Sequence, residues 1–320
     1  MGCHKKSILI YTTGNQLGRR TKVVVLDDFE ESFFVELNRY CDVVREVDEQ
    51  SKDAEILVVR SKTRVDERLL ERLPSLRLVI TATHGEDHID KGALAERNIS
   101  YRSTPVQSYD VAQGVMAYIF AFATNLVTAD RYLKRGEWRK RELRGFRIEG
   151  KVLGVVGYGR IGKEVARQAI ANGMKVIVYD KDPMARANKD LPVAFVDKLD
   201  ELLMSSDIIT LHVPLTQETM CMIGDRELSL VKDGAYLINA TRGGVVDEAA
   251  LLRALENGKL AGAALDVFKR QPPFGNLTSE ALARHEKVIA TPHSIAQTED
   301  ALRQKGKRVL EEILKYISSR

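Results

Sequence analysis

Two polar side chains in this sequence follow apolar runs at points where they could take part in chemistry. Arg242 comes after the run Tyr236–Asn239, and its planar guanidinium can hold a carboxylate through paired hydrogen bonds and polarise a neighbouring carbonyl. His293 comes after the run Val288–Ala290 and a proline, and its imidazole can give or take a proton near neutral pH. The alternatives are a surface ion pair for Arg242 and a structural role for His293.

A glycine-rich loop is the second feature with a chemical use. Gly157, Gly159 and Gly162 form a G-x-G-x-x-G pattern between the strand pattern Lys151–Val156 and the helix pattern Ile161–Ala171. The first glycine permits a tight turn, the second lets a pyrophosphate approach the backbone, and the third lets the helix pack closely on the strand. Free N–H groups at the helix start attract phosphate. The remaining loop residues that we assign to this dinucleotide site are Tyr158, Arg160 and Ile161.

An acidic residue after the next strand pattern strengthens this interpretation, because a glycine pattern alone is weak evidence. Asp180 follows Lys175–Tyr179 directly, at the distance from the loop where a carboxylate binds the ribose 2′-OH. The same carboxylate would repel a 2′-phosphate. The sequence therefore predicts NAD rather than NADP as the cofactor.

Length and composition narrow the possible classes of protein. The chain has 320 residues, 44% of them hydrophobic and 29% charged, which favours two globular domains. The net charge of +4 is too small and too dispersed to indicate nucleic-acid binding. Cys3, Cys41 and Cys221 match neither a zinc spacing nor a disulfide framework, so we predict no metal site. No apolar run approaches the roughly 20 residues of a membrane helix, and we expect a soluble, cytoplasmic protein.

The elements that must position these side chains alternate between strand and helix patterns, which predicts a parallel α/β fold. Residues 109–135 read as one long helical stretch that could bridge two domains, and the basic segment 134–147 follows it. Gln297–Ile317 reads as an amphipathic helix that could return to the first domain. We therefore predict a substrate domain of residues 1–110 and 295–320, with a nucleotide domain of residues 111–294 inserted in it. Ser7–Tyr11 could be an extra strand.

Four segments in order resemble the NAD-dependent D-isomer-specific 2-hydroxyacid dehydrogenase family. They are Leu153–Gly162, Leu211–Thr216, Asn239–Glu248 and Ala263–Phe268, with Thr291–His293 after them. The resemblance covers nearly the whole chain from about Lys22. It implies two doubly wound parallel-sheet domains, a Rossmann NAD domain inserted in a flavodoxin-like substrate domain, and usually a homodimer formed through the NAD domain.

The resemblance also implies roles for particular residues. Arg242 would bind the substrate carboxylate, His293 would donate the proton, and Asp266 would accept a hydrogen bond from the nicotinamide amide. We place further cofactor contacts at His212, Pro214 and Thr241. We place substrate contacts at Arg60, Ser61, His84, Gly85 and Gln107.

One catalytic position departs from the family pattern. Most members place a glutamate just before the proline that follows the Asp-Val-Phe segment, and here that position is Gln271. A carboxylate beside His293 would raise the pKa of the imidazole, whereas a neutral amide can only orient the ring. We therefore expect a weaker proton donor, or a reduction optimum at lower pH. A glutamine–histidine pair resembles the formate dehydrogenase branch, as does the loop Gly85–Asp90.

The choice of substrate stays open at this point. Val59–Thr63 resembles the substrate loop of phosphoglycerate dehydrogenases, in which an arginine and a serine face a phosphorylated substrate, although Arg60, Lys62 and Arg64 could equally be a surface charge cluster. We expect an oxidoreductase that interconverts a small 2-hydroxy acid and its 2-keto acid, such as 3-phosphoglycerate, hydroxypyruvate or glyoxylate. The alternatives are formate oxidation and an NAD(H)-sensing, corepressor-like binding protein.

Overall fold

The computed structural model describes residues 20–83, 85–187 and 190–319, and the possible strand Ser7–Tyr11 lies outside them. Its strands belong to two parallel sheets. The strands are β1 Lys22–Val25, β2 Asp42–Val44, β3 Ile56–Val59, β4 Leu78–Thr81, β5 Ser100–Ser103, β6 Val152–Val156, β7 Lys175–Tyr179, β8 Ala194–Phe195, β9 Ile208–Leu211, β10 Ala235–Asn239, β11 Leu260–Leu265 and β12 Val288–Ala290. The α-helices are α1 Glu31–Leu37, α2 Glu67–Glu71, α3 Lys91–Glu96, α4 Ser108–Thr124, α5 Leu126–Lys134, α6 Arg160–Ala171, α7 Pro183–Ala187, α8 Leu199–Ser205, α9 Asp225–Leu230, α10 Glu248–Glu256, α11 Leu277–Arg284 and α12 Glu299–Ser318. Two 3₁₀ turns lie at Glu49–Ser51 and Gly243–Val245.

The first sheet has the strand order β2-β1-β3-β4-β5, with every pairing parallel. This is the flavodoxin-like order. Its central strands are almost continuously apolar because both faces are covered. One face packs against α1 and α12 through Phe33 and Val309, and the other packs against α2 and α3 through Leu70 and Leu94.

The second sheet has the order β12-β11-β10-β9-β6-β7-β8, again parallel throughout. This is the Rossmann order extended by one strand, and its connections reverse direction between β6 and β9. Ligands of open α/β sheets bind outside the carboxyl ends of the strands at such a switch point. The predicted fold class, two doubly wound parallel sheets with a Rossmann unit, is confirmed.

The predicted single helix over 109–135 is wrong in one respect, because it is two helices. α4 ends at Thr124, and α5 leaves at an angle of 63°. Asn125 between them has φ 54°, a left-handed conformation that asparagine tolerates better than most residues. No single helix in the described ranges is long and apolar enough to cross a membrane, and only this bent pair passes by length and composition together. α4 packs on α6 in a core cluster that includes residues of the second sheet.

The last helix returns to the first sheet. α12 packs against α1, and its Val309 and Ile313 are fully buried in the cluster formed with β1, β3 and β4. Its first turn lies beside the start of α4, because the Thr298 hydroxyl hydrogen-bonds the Asp110 carboxylate. The chain therefore passes from the first sheet to the second and back again, which brings the strand ends of both sheets to one cleft.

Candidate active site

The cleft between the two sheets is defined by contacts between loops at strand ends. Arg242, after β10, donates from Nε to the carboxylate of Asp87, after β4, at 2.6 Å. Gln107, after β5, donates from its amide to the carbonyl of Ala296, after β12, at 2.5 Å. Since the carboxyl ends of parallel strands share one edge, loops far apart in sequence converge here.

The glycine loop has the shape that a pyrophosphate needs. Gly157 has φ +94°, and a Cβ there would stand 2.7 Å from the carbonyl oxygen of His212. A Cβ on Gly162 would stand 2.1 Å from the carbonyl oxygen of Gly157, so α6 can approach β6 only without one. At Gly159, in contrast, no described atom lies within 4 Å of the Cβ position. The loop is therefore closed on its protein side and open at its second glycine, which fits a dinucleotide.

The start of α6 adds an electrostatic reason for that fit. The helix begins at Arg160, with no described side chain capping its N-terminus. Its first-turn N–H groups, which include those of Arg160 and Ile161, can therefore serve an anion. Tyr158 is 2% exposed and packs edge-on against Phe195 at 5.2 Å between ring centroids, so only its backbone faces the loop.

Asp180 lies at the end of β7 against this loop. One carboxylate oxygen accepts the Tyr158 N–H at 2.6 Å, and the other accepts the Asp182 N–H at 2.8 Å. A carboxylate held in this way keeps lone pairs for a ribose hydroxyl and presents negative charge to any 2′-phosphate. The residues present thus fit NAD.

The other predicted cofactor residues lie after β9, β10 and β11. His212 hydrogen-bonds the Thr210 hydroxyl at 3.0 Å through Nε2, and burial lowers its pKa to about 3, so its ring is neutral. Thr241 donates from its hydroxyl to the Val213 carbonyl at 2.7 Å, which links two loops of the switch point. Pro214 is exposed beside them.

Arg242 is held in one orientation by three neighbours. Besides the Asp87 carboxylate on Nε, its NH1 donates to the Thr241 carbonyl at 2.7 Å. Its NH2 edge lies against Gly85, where an added Cβ would stand 1.2 Å from that nitrogen. Glycine at position 85 leaves room for the guanidinium in this orientation.

His293 and Gln271 form the predicted pair. The Gln271 amide donates weakly to the Phe268 carbonyl at 3.4 Å, so its oxygen faces His293 Nδ1 at 3.0 Å. An amide oxygen only accepts, and therefore Nδ1 carries a proton and Nε2 is the nitrogen that can exchange one. Partial desolvation lowers the pKa of His293; the charge of Asp266 opposes this, and the charges of Arg242 and Lys305 reinforce it.

Asp266 anchors the loop that carries His293. It is 3% exposed, and its backbone carbonyl accepts the His293 N–H at 2.9 Å. Its carboxylate accepts the Ser294 N–H at 2.8 Å and the Thr291 hydroxyl. Burial raises the pKa of Asp266, while these donors and His293 oppose the rise. Asp266 thus links the predicted cofactor side of the cleft to the imidazole.

The predicted substrate residues differ in how they are held. Arg60 is held by the loop after β1: its N–H donates to Asp27 at 2.6 Å, and its NH1 donates to the Asp28 carbonyl at 2.6 Å. Ser61 is exposed. Gln107 is engaged with Ala296, as described above. The predicted residue His84 lies outside the described residues.

Three residues of the cleft were not predicted from the sequence. Asp87 pairs with Arg242, and Asp27 accepts from Arg60 and from the Thr63 hydroxyl at 2.6 Å. Both are acids in loops that follow strands, the same signal that identified Asp180. The third is Lys305, a buried residue on the otherwise apolar face of α12. Its charge contributes to the lowered pKa of His293.

Comparison with known proteins agrees with this geometry. Residues 116–294 match the model of the D-isomer specific 2-hydroxyacid dehydrogenase NAD-binding domain. D-3-phosphoglycerate dehydrogenase of Methanocaldococcus jannaschii is 41% identical over 270 residues, which cover 84% of this chain and 51% of that protein. Hydroxypyruvate reductase of Thermotoga maritima is 40% identical over 266 residues, covering 83% of this chain and 85% of that protein. The chain thus spans about half the length of its phosphoglycerate dehydrogenase relative.

The structure of D-lactate dehydrogenase from Aquifex aeolicus, complexed with NAD and lactic acid, superposes with a TM-score of 0.82 and 31% identity over 93% of this chain and 96% of that one. The chain belongs to the D-isomer-specific 2-hydroxyacid dehydrogenase family, and more than half of it is that family's NAD-binding domain.

Proposed function

We propose that this protein interconverts a small 2-hydroxy acid and its 2-keto acid with NAD as the hydride carrier. The observation that carries the proposal is the set of contacts in the loops after β10, β11 and β12. Arg242 pairs with Asp87, His293 pairs with Gln271, and Asp266 anchors the loop that carries His293. Each of the three needs of the reaction, a cofactor site, a carboxylate grip and a proton donor, has its residue in this cleft.

The residues divide the work of reduction between them. Arg242 binds the carboxylate and polarises the keto oxygen, because its fork of donors is fixed by Asp87 and Gly85. His293 gives the proton on Nε2 to that oxygen, while Gln271 holds the ring through Nδ1. NADH, when bound, supplies the hydride to the carbonyl carbon, so that the products are the hydroxy acid and NAD⁺. Oxidation runs the same proton transfer in reverse, with neutral His293 as the base.

The substrates we favour are hydroxypyruvate, glyoxylate and 3-phosphoglycerate with its keto form. Arg60 at the cleft supports an anionic substituent on the substrate, since its Nε is buried with no hydrogen-bond partner among the described residues. Hydroxypyruvate reductase and phosphoglycerate dehydrogenase are the activities that the relatives' names give.

Formate oxidation is the second candidate, and the Gln271–His293 hydrogen bond of 3.0 Å favours it. Removing a hydride from formate gives CO₂ and needs no proton donor, so a neutral amide beside His293 would cost nothing there. Arg242 would bind the formate oxygens, as it would bind the carboxylate of a 2-keto acid.

The assembly, the domain division and the location are also proposals. A homodimer through the NAD domain is supported by apolar side chains exposed around α5, where Leu126, Leu133 and Trp138 are 62%, 63% and 82% exposed. Sedimentation of wild type and Trp138→Ser tests this, since a dimer that persists equally in both would contradict that interface.

We propose residues 1–110 and 295–320 as the substrate domain and residues 111–294 as the NAD domain. A cytoplasmic location stays a prediction.

A panel of steady-state assays tests the proposed activity. NADH consumption is measured with hydroxypyruvate, glyoxylate, pyruvate and 3-phosphohydroxypyruvate, and NADH formation is measured with formate and NAD⁺. Turnover of at least one keto acid is expected. Turnover of formate alone would support the second candidate, and tight NADH binding without any turnover would contradict both.

A further inference from the structure

Glu248 is a buried carboxylate that takes no part in the reaction as described above. It is the first residue of α10, directly after the capping residue Asp247, and it is 8% exposed. A carboxylate is rarely buried to this extent unless its oxygens accept hydrogen bonds. Oε1 accepts the backbone N–H of Lys269 at 2.6 Å, and Oε2 accepts the Ser279 hydroxyl at 2.5 Å. Glu248 therefore joins α10 both to α11 and to the loop after β11.

The N–H that Glu248 binds belongs to a peptide group with two further contacts. The carbonyl of Phe268 and the N–H of Lys269 form this group, which is planar and rigid. A Cβ on Gly243 would stand 2.0 Å from its carbonyl carbon and 2.3 Å from its nitrogen, so the backbone just after Arg242 lies directly against it. Its carbonyl oxygen accepts from the side-chain amide of residue 271 at 3.4 Å. One rigid group thus contacts both the arginine segment and the partner of the imidazole.

The contact at the carbonyl oxygen determines how Gln271 faces His293. Since the amide NH₂ donates to Phe268, the amide oxygen is the atom that faces His293 Nδ1 at 3.0 Å. The hydrogen bond of 3.4 Å is long, and therefore it depends on a carbonyl that stays in place. An amide that turned over would present its NH₂ to Nδ1, which would then have to accept. The proton of the neutral ring would move to Nε2, and the doubly protonated ring that reduction needs would be disfavoured.

We propose that Glu248 is a positioning residue for the proton donor. It acts through the 268–269 peptide group and the side-chain amide of Gln271. Holding the Lys269 nitrogen holds the Phe268 carbonyl, and that carbonyl sets the amide orientation which keeps the proton of neutral His293 on Nδ1. The inference rests on the proposed function for the reaction that it serves, although the state of the imidazole can be measured without turnover.

Three variants separate positioning from folding. Glu248→Ala removes the acceptor of the Lys269 N–H. Glu248→Gln keeps it, because an amide oxygen can accept from Lys269 while the amide NH₂ donates to the neighbouring hydroxyl. Asp207→Ala is the stability control, since the Asp207 carboxylate accepts the Val152 N–H at 2.8 Å. That contact lies at the amino ends of β6 and β9, whereas the cleft lies at the carboxyl ends of the strands.

The first measurement is the tautomer of His293, read from the ¹⁵N NMR signals of its imidazole well above its pKa. The signals are identified by their absence from the spectrum of His293→Asn. We expect the Nδ1–H form in wild type, Glu248→Gln and Asp207→Ala, and a substantial population of the Nε2–H form in Glu248→Ala. Glu248→Asp withdraws the carboxylate by one methylene and should show the same change, so it replaces the alanine variant if that variant does not fold.

The second measurement is the kinetics of hydroxypyruvate reduction. In Glu248→Ala we expect kcat to fall by about tenfold or more and KM to stay within about threefold, because proton donation is impaired while Arg242 still binds the carboxylate. Glu248→Gln and Asp207→Ala should keep both parameters within about twofold of wild type, even where Asp207→Ala lowers the melting temperature as much as Glu248→Ala does.

Three results would overturn the positioning role: an Nε2–H tautomer in the wild type, an unchanged tautomer in Glu248→Ala, or an equal fall in kcat in Asp207→Ala. If wild type reduces no keto acid, the proposed function fails by itself. The tautomers of His293 in wild type, Glu248→Ala and Glu248→Gln then still test whether Glu248 sets the state of the imidazole.

Discussion

The Gln271–His293 contact makes a quantitative prediction about pH. Gln271 Oε1 lies 3.0 Å from His293 Nδ1, so Gln271→Glu places a carboxylate oxygen at the same contact. The carboxylate stabilises the imidazolium, whereas the amide of the wild type does not. Reduction needs His293 protonated on Nε2, and the protonated fraction at neutral pH should therefore be larger in the variant.

The size of the effect follows from the distance and the exposure. An opposite charge within about 4–6 Å raises a histidine pKa by about 1 to 3. His293 borders solvent in the cleft, which screens the interaction and favours the lower part of that range, about 1 to 2. Partial desolvation lowers the pKa of His293 in the wild type. Reduction by the wild type should thus decline as pH rises through this lowered pKa, and the variant should decline about 1 to 2 pH units later.

The assay measures kcat/KM for hydroxypyruvate reduction between pH 5 and 9. The same parameter is measured for oxidation of the corresponding hydroxy acid. Oxidation needs neutral His293, so its rise with pH should move upward by the same amount. Gln50→Glu is the control, since it adds the same charge on an exposed side chain between β2 and β3 and should leave both profiles in place. Superimposable profiles for wild type and Gln271→Glu would refute the assigned role of His293.

Three further predictions concern separate parts of the cleft. Gly85→Ala puts a Cβ 1.2 Å from Arg242 NH2. The flexible guanidinium should move away, lowering kcat/KM by about tenfold or more with little change in melting temperature; a large loss of stability with unchanged kcat/KM would contradict this. Asp180→Ala removes the repulsion of a 2′-phosphate and should narrow the preference for NADH over NADPH by about tenfold, as measured by kcat/KM for each cofactor; an unchanged ratio would count against the ribose contact. Lys305→Met should stabilise the fold, because the folded-state pKa of about 7 lies below the usual 10.5 and the charged form is therefore disfavoured in the native state. That penalty is full below pH 7, up to about 5 kcal/mol, and fades as pH rises toward 10.5. Urea unfolding at pH 6 and pH 10 should show most of the gain at pH 6.

Much of the fold was predictable because its strands are short apolar runs at regular intervals. The strand pattern Lys175–Tyr179 and the apolar run Val288–Ala290 coincide with β7 and β12. Asp247 caps α10 by accepting from the N–H groups of Ala249 and Ala250, as its residue type and position indicate. The break between α4 and α5 at Asn125 was missed. The apolar spacing continues across it, and one residue in a left-handed conformation does not change the hydrophobic periodicity.

The residues of the site were predictable where a residue type and its place after a strand together indicate one chemical role. Arg242, His293 and the glycine loop follow strands, and strand ends of a parallel sheet share an edge. The sequence does not indicate which loops of the first sheet lie against Arg242, His293 and the glycine loop. Asp87, after β4, contacts Arg242, after β10, and no sequence pattern indicates that these two loops meet. Lys305 was missed because a lysine in an amphipathic helix is normally solvated.

The most direct test of the account compares hydroxypyruvate reduction by wild type and Arg242→Ala, with NADH binding measured on both proteins. Arg242 lies after β10 and outside the glycine loop, so its removal should spare the cofactor and remove the grip on the substrate. We predict a fall in kcat/KM of about a hundredfold or more with an NADH affinity within about threefold of wild type. Unchanged turnover in Arg242→Ala would contradict the role of Arg242. No NADH consumption by the wild type with any 2-keto acid would contradict the proposed function.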